Sequence, residues 1–142
     1  MNEKRNKPGV GVVDDKIFVI GGFDGEEYLK TIEVYSEKRK RWEMMKVTTN
    51  TGKKWDMGVA VIGDLIFIIG GWNERSVVVG EVEVMNTKTQ TMENIDKNSN
   101  RKKMEWEVGV VDDRFIWTFG EKVVVDVIEM CVTFQNRKVE DI

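Results

Sequence analysis

Four apolar residues followed by two glycines, Ile17-Phe18-Val19-Ile20-Gly21-Gly22, return 49 residues later as Ile66-Phe67-Ile68-Ile69-Gly70-Gly71. The run does not alternate apolar with polar side chains, so it predicts a short strand buried on both faces. A second apolar run precedes it, at 10–13 and again at 57–62; in the first copy Asp14-Asp15-Lys16 joins the two runs as a hairpin turn. Further apolar stretches at 28–35 and 42–45 predict a third strand and an edge strand, and they recur at 79–85 and 91–95. Other positions keep the same step: Arg5, Lys54 and Lys103; Gly11, Ala60 and Gly109; Asp15, Asp64 and Asp113. The chain therefore divides into three repeats, at 1–45, 46–95 and 96–142, the third divergent.

A period near 50 residues built on short strands and a glycine pair predicts propeller blades rather than a helical solenoid. The glycines end the strand where a side chain would crowd the turn, and they permit positive φ. Residues 11–22, followed by Glu33-Val34-Tyr35 and Trp42, resemble a kelch repeat: a glycine doublet, then a tyrosine, then a tryptophan seven residues later. The second copy keeps Gly70-Gly71 and Glu83-Val84, with Met85 and Met92 for the tyrosine and tryptophan. The third keeps Gly109, Asp112-Asp113 and Glu129, but has Glu121 for the second glycine, Cys131 for the tyrosine and Lys138 for the tryptophan. The resemblance implies an all-β chain, a partial kelch β-propeller of about three blades with four antiparallel strands each. It makes Gly21, Gly22, Gly70, Gly71, Tyr35 and Trp42 structural residues.

Three blades leave two terminal faces uncovered, because blades bury their faces against neighbours in rings of roughly four to eight. The expectation is a piece of a longer propeller, a homodimer closing a six-bladed ring, or a poorly stable half-ring. The kelch-like proteins that this resembles carry six blades behind an N-terminal dimerisation domain that binds a cullin scaffold. That domain is absent from this sequence, so a cullin-ligase assembly is expected only through it.

The 22 basic and 25 acidic residues are interspersed and leave a net charge of −3, with no electrostatic case for nucleic acid. No apolar run approaches the roughly 20 residues that span a bilayer, and residues 1–7 have no apolar segment behind them to form a signal peptide. A single cysteine and the lack of any Asn-X-Ser/Thr acceptor fit a reducing compartment, the cytoplasm or the nucleus.

The candidate chemistry is sparse. With no histidine, Ser-His-Asp and Cys-His arrangements are ruled out and the commonest metal ligand is missing. No enzymatic activity, cofactor or metal is expected. Asp14-Asp15 and Asp112-Asp113 occupy one blade position and lack the spaced acids and glycine of a calcium loop, so they read as hairpin turns. Lys38-Arg39-Lys40-Arg41 reads as a solvated outer turn, and Cys131 as a packed, inert thiol. Glu33, Glu83 and Glu129 recur among apolar neighbours and need hydrogen-bond or cationic partners.

In an antiparallel blade the loop between strands two and three emerges on the same face as the crossover between blades. Loops on a rigid scaffold are where recognition resides. That face gathers Arg5, Phe23, Asp24, Lys53, Lys54, Trp55, Trp72, Asn73, Arg75 and Lys103, the aromatic and basic types that dominate interfaces. They are the candidate residues for binding a protein or peptide motif, although Arg5, Lys54 and Lys103 recur at one position and equally fit a role in holding blades together. The resemblance implies a protein-binding module, in its most concrete form the substrate-recognition part of a kelch-like adaptor of a cullin-based ubiquitin ligase. The alternatives are an actin or cytoskeleton binder, or a truncated fragment without independent activity.

Overall fold

In the computed structural model the described residues are 1–50, 52, 54–77, 81–96 and three further strands, 108–111, 115–118 and 123–126, and they form β-structure without helix. The first blade is β1 (Gly9–Val13), β2 (Lys16–Ile20), β3 (Ile32–Ser36) and β4 (Arg41–Met44), hydrogen-bonded in that order. A two-residue strand β5 (Lys54–Trp55) leads into the second blade: β6 (Gly58–Ile62), β7 (Leu65–Ile69), β9 (Val82–Asn86) and β10 (Thr91–Asp96). Strand β8 (Trp72–Asn73) follows the glycine pair of that blade and pairs with β5. The third sheet is β11 (Val108–Val111), β12 (Phe115–Thr118) and β13 (Val123–Asp126). Every pairing is antiparallel. The stretches expected as a fourth strand of blade three, 135–142, as its tight turn, 120–122, and as a polar link, 96–103, lie outside the described residues except for Asp96.

Asp14 and Asp15 both take positive φ, 48° and 59°, the two-residue turn whose twist matches the strands it joins. Register then decides which side chains share a face. Gly9, Ile20 and Ile32 lie opposite one another, as do Gly11, Phe18 and Val34. This face packs on Val59, Val61, Ile66, Ile68, Met85 and Met92 of the second blade. Glycine lets β1 approach the second blade closely: a Cβ at Gly9 would lie 2.8 Å from Cγ2 of Val59, which would have to shift, and one at Gly11 would lie 3.1 Å from Cγ2 of Val61, a tight contact. Phe18, Ile20, Ile32, Ile66, Ile68 and Met85 are buried in this seam, each contributing about 1.5–3 kcal/mol of transfer free energy. The first strands of all three blades are neighbours, with β6 between β1 and β11.

Two segments differ from their sequence expectation. The third strand begins at Ile32, not at residue 28, because Gly21 and Gly22 turn the chain with φ of 60° and 100°. Residues 28–31 then fold back over the doublet, with Leu29 N donating to Gly22 O (2.8 Å) and Gly21 N to Thr31 O (3.0 Å). Residues 1–7, expected as a loose lead-in, are instead tied down. Asn6 and Phe23 exchange backbone hydrogen bonds of 2.7 and 3.0 Å, and Asp56 N donates to Lys7 O (2.9 Å). The Asn6–Phe23 bridge stands 49 residues before the Trp55–Trp72 pair of β5 and β8, so each lead-in latches onto the loop after its own glycine doublet.

Candidate functional site

The loop face is built on two buried ion pairs at equivalent positions. Arg5 Nε donates to Glu33 Oε2 at 3.0 Å, and both side chains are fully buried. The remaining guanidinium donors go to Gly21 O (2.8 Å), Thr31 O (2.9 Å), Thr31 Oγ1 (2.9 Å) and Glu3 Oε2 (2.8 Å). Glu33 also accepts the backbone N–H groups of Asn2 and Glu3. Burial pushes the Glu33 carboxyl up, but the Asn2 amide, the Arg5 guanidinium and the Glu3 amide together hold it below its ordinary value of 4.5. In the second blade Lys54 Nζ lies 2.9 Å from Glu83 Oε2, again with both side chains buried, and Glu83 accepts the N–H of Asn50. Arg5 and Lys54, grouped by sequence with the surface residues, therefore point inward and clamp lead-in to blade. Lys103 and Glu129, their counterparts by period, lie outside the described residues, as does Lys53.

Asp24 and Asn73 form a second equivalent pair, and both organise their own loops. Asp24 Oδ1 accepts the N–H groups of Glu26 (2.7 Å) and Glu27 (2.6 Å). The Glu27 and Glu26 amides hold its carboxyl below the ordinary value. Asn73 Oδ1 accepts the N–H groups of Arg75 (2.9 Å) and Val77 (3.1 Å). Such side-chain to backbone bonds two to four residues along the chain fix the loop conformation.

What these fixed loops display is a row of rings. Phe23 and Tyr28 stand with centroids 4.9 Å apart, Tyr28 and Trp55 5.9 Å apart, and Trp55 is the register partner of Trp72. All four are half-buried. Lys7 Nζ sits 5.3 Å from the Trp55 ring centroid and 3.7 Å from Asp56 Oδ2, while Arg75 is exposed at the tip of the second loop. A shallow depression lined by Lys4, Arg5, Asn6, Phe23, Asp24 and Gly25 opens beside the row. Tyr28 was missed by sequence reasoning, which placed it in a strand. Its counterpart, 50 residues on because the second loop is one residue longer, is Val78, so the repeat did not mark it.

The opposite side holds a depression of about 460 Å³ whose charged lining is balanced, Lys16, Lys38 and Arg39 against Asp14, Asp15 and Glu43. Arg39 is bonded to Glu43 (3.2 Å), and Lys88 to Asp14. Charges matched in this way give no preference to a ligand of either sign. In the exposed run 38–41, Lys40 is likewise paired with Glu37 and Arg41 with Glu43.

Three antiparallel sheets joined by a common repeat, with their first strands side by side, define propeller blades. The chain belongs to the kelch-repeat family: the family described as Kelch motif matches residues 4–46 and 56–91. Human Kelch-like protein 4 is 39% identical over 49 residues, which is 34% of this chain and 7% of that protein. The chain thus matches only a small part of that relative's length. Kelch repeats are generally non-catalytic modules that bind protein partners. Among the described residues no helix is long and apolar enough to cross a membrane.

Proposed function

We propose that this chain binds a short peptide segment of a partner protein across the row Phe23, Tyr28, Trp55 and Trp72, with Lys7 beside Trp55 and Arg75 on the loop that follows Trp72. The observation that carries this reading is the combination of half-exposed rings 4.9–5.9 Å apart with loops already fixed by Asp24, Asn73 and the lead-in latches. Preorganised aromatic surface binds at low cost in conformational entropy. The finer form is the substrate-recognition part of a kelch-like adaptor of a cullin-based ubiquitin ligase, acting in the cytoplasm, where the chain positions a target and supplies no catalytic group. Membership of the kelch-repeat family and the likeness to Kelch-like protein 4 support it.

The test is selection of peptides from a displayed random library against the full chain, followed by titration of the winners. Phe23→Ala and Arg75→Glu are expected to weaken the selected peptides by about tenfold or more, as for hot-spot residues, with the thermal melt retained. Failure to enrich any peptide, or affinity of both variants equal to that of the unsubstituted chain, would overturn the assignment.

A further inference from the structure

Given that the row binds a peptide, as above, we propose that this peptide is basic where it meets the first half of the row. It seats a lysine or arginine side chain on Phe23, Tyr28 and Trp55, in the place that the chain's own Lys7 occupies. An ammonium is already there. Lys7 Nζ stands 5.3 Å from the centroid of the Trp55 ring, inside the roughly 6 Å over which a ring face attracts a cation.

Lys7 is held loosely. Its side chain is 54% exposed, and its carboxylate partner, Asp56, is 3.7 Å away, beyond hydrogen-bond distance. An exposed pair of this kind contributes little and yields to a competing cation. The backbone beneath it is fixed by contrast. Lys7 and Asp56 stand 49 residues apart, at one position of the repeat, and both take positive φ, 48° and 55°. Asp56 N donates to Lys7 O at 2.9 Å. The lysine stem therefore swings aside while the Trp55 ring and the Asp56 carboxylate keep their places for a cation from outside.

The charges around this half favour the same sign. Phe23 and Tyr28 are bridged across a four-residue loop that carries Asp24, Glu26 and Glu27 and no cation. The buried cations of the face are already matched, Arg5 by Glu33 and Glu3, and Lys54 by Glu83. Once Lys7 is displaced, Asp24, Glu26, Glu27 and Asp56 stand against the exposed Lys4 and Lys30 of the neighbouring segments. An acidic side chain would meet ring faces and carboxylates of its own sign. The second half of the row differs, because the loop after Trp72 bears Glu74 beside Arg75. The requirement for a cation thus belongs to the first half.

Peptides selected on the full chain are sequenced and titrated to test this. They are expected to carry an arginine or a lysine. Replacing it by citrulline or norleucine, neutral side chains of similar length, weakens binding to the unsubstituted chain by about tenfold. Lys7→Met, which removes the ammonium and keeps an apolar stem at an exposed position, tightens the same peptides by about threefold to tenfold, because a competing cation is gone. Recognition of an acidic residue at this place would give the opposite sign. No enrichment of any peptide overturns the peptide-binding reading and this inference with it. Peptides that are sensitive to Phe23→Ala but hold no basic residue, or whose affinity is unchanged or lowered by Lys7→Met, overturn this inference alone and leave the row a peptide site.

Discussion

Arg5 does what a lysine at its place would not. Its guanidinium ties two carboxylates, two backbone carbonyls and a hydroxyl, joining the lead-in, the glycine doublet and the start of β3. Lys54, the repeat-equivalent cation, is placed against its glutamate alone among the described residues. The two blades thus solve one problem with unequal tools, since a planar fork serves several acceptors and an ammonium is a point charge. Arg5→Lys is expected to destabilise the chain by about 1–3 kcal/mol through the guanidinium bonds lost at the carbonyls of Gly21 and Thr31. Arg5→Met should cost about 3–5 kcal/mol, because Glu33 would remain as a buried, uncompensated charge. Urea denaturation ranks the two, and equal stability of Arg5→Lys and the unsubstituted chain would rule out the multiple-acceptor account.

The same pair sets a pH dependence. Glu33 is held below 4.5 in the folded chain, so its contribution is complete above 4.5 and is lost as pH falls through the lowered value. Asp14, Asp24 and Glu43 are depressed as well and act with the same sign. Glu33→Gln should therefore make the acid limb of the stability profile shallower without flattening it. The measurement is denaturation midpoint against pH from 7 to 3, and an unchanged acid limb would count against the assigned role of Glu33.

At the scale of the element, the glycine doublet is a crossing point and not only a turn. Gly22 N donates to Lys54 O at 2.8 Å, so the doublet of the first blade holds the lead-in of the second. A Cβ at Gly21 would lie 2.5 Å from that same carbonyl oxygen, whereas one at Gly25 would meet nothing within 4 Å. Both glycines have positive φ, 60° and 110°. Gly25→Ala then reports backbone strain alone, of order 1 kcal/mol, and Gly21→Ala adds the steric cost, for a loss of about 2–4 kcal/mol. Equal midpoints for the two variants in chemical denaturation would show that the lead-in yields freely.

These elements also show what a sequence discloses. The strand at 17–20, its doublet and the hairpin turn at Asp14-Asp15 are local signals, carried by composition and a fixed step, and they were legible. The joining of Arg5 to Glu33 was not, because it depends on a lead-in folding back across 28 residues onto a strand interior. The hint was present, since a cation and a glutamate both recur at near-equal steps, yet periodicity alone does not say that they meet. Asp24 and Asn73 were marked as surface contacts for the same reason: a polar residue on a loop can face a partner or its own backbone, and only geometry separates the two. The ring of Tyr28 escaped notice because Val78 breaks the repeat at that position.

Across the molecule, the first two blades share one core instead of owning one each. Val13, Phe18, Ile20 and Ile32 from the first blade interleave with Met57, Ile66, Ile68 and Met85 from the second. Each sheet is only four strands wide, and its apolar face is satisfied by its neighbour, so the two should open together as a single unit. Ile66, fully buried at the centre of that seam, is the residue to probe. Ile66→Ala removes buried methyl groups and leaves a cavity, at an expected cost of about 2–5 kcal/mol. If the seam is the unit of cooperativity, amide hydrogen exchange in the variant should rise in β2 and β3 of the first blade as much as in β7 and β9 of the second, although the substitution lies in β7 alone. Faster exchange confined to β6, β7, β9 and β10 would mean that each blade is stable by itself. The burial of Phe18 and Ile20 beneath a neighbouring sheet argues for the shared response, because neither has another apolar face to turn to once the second blade opens.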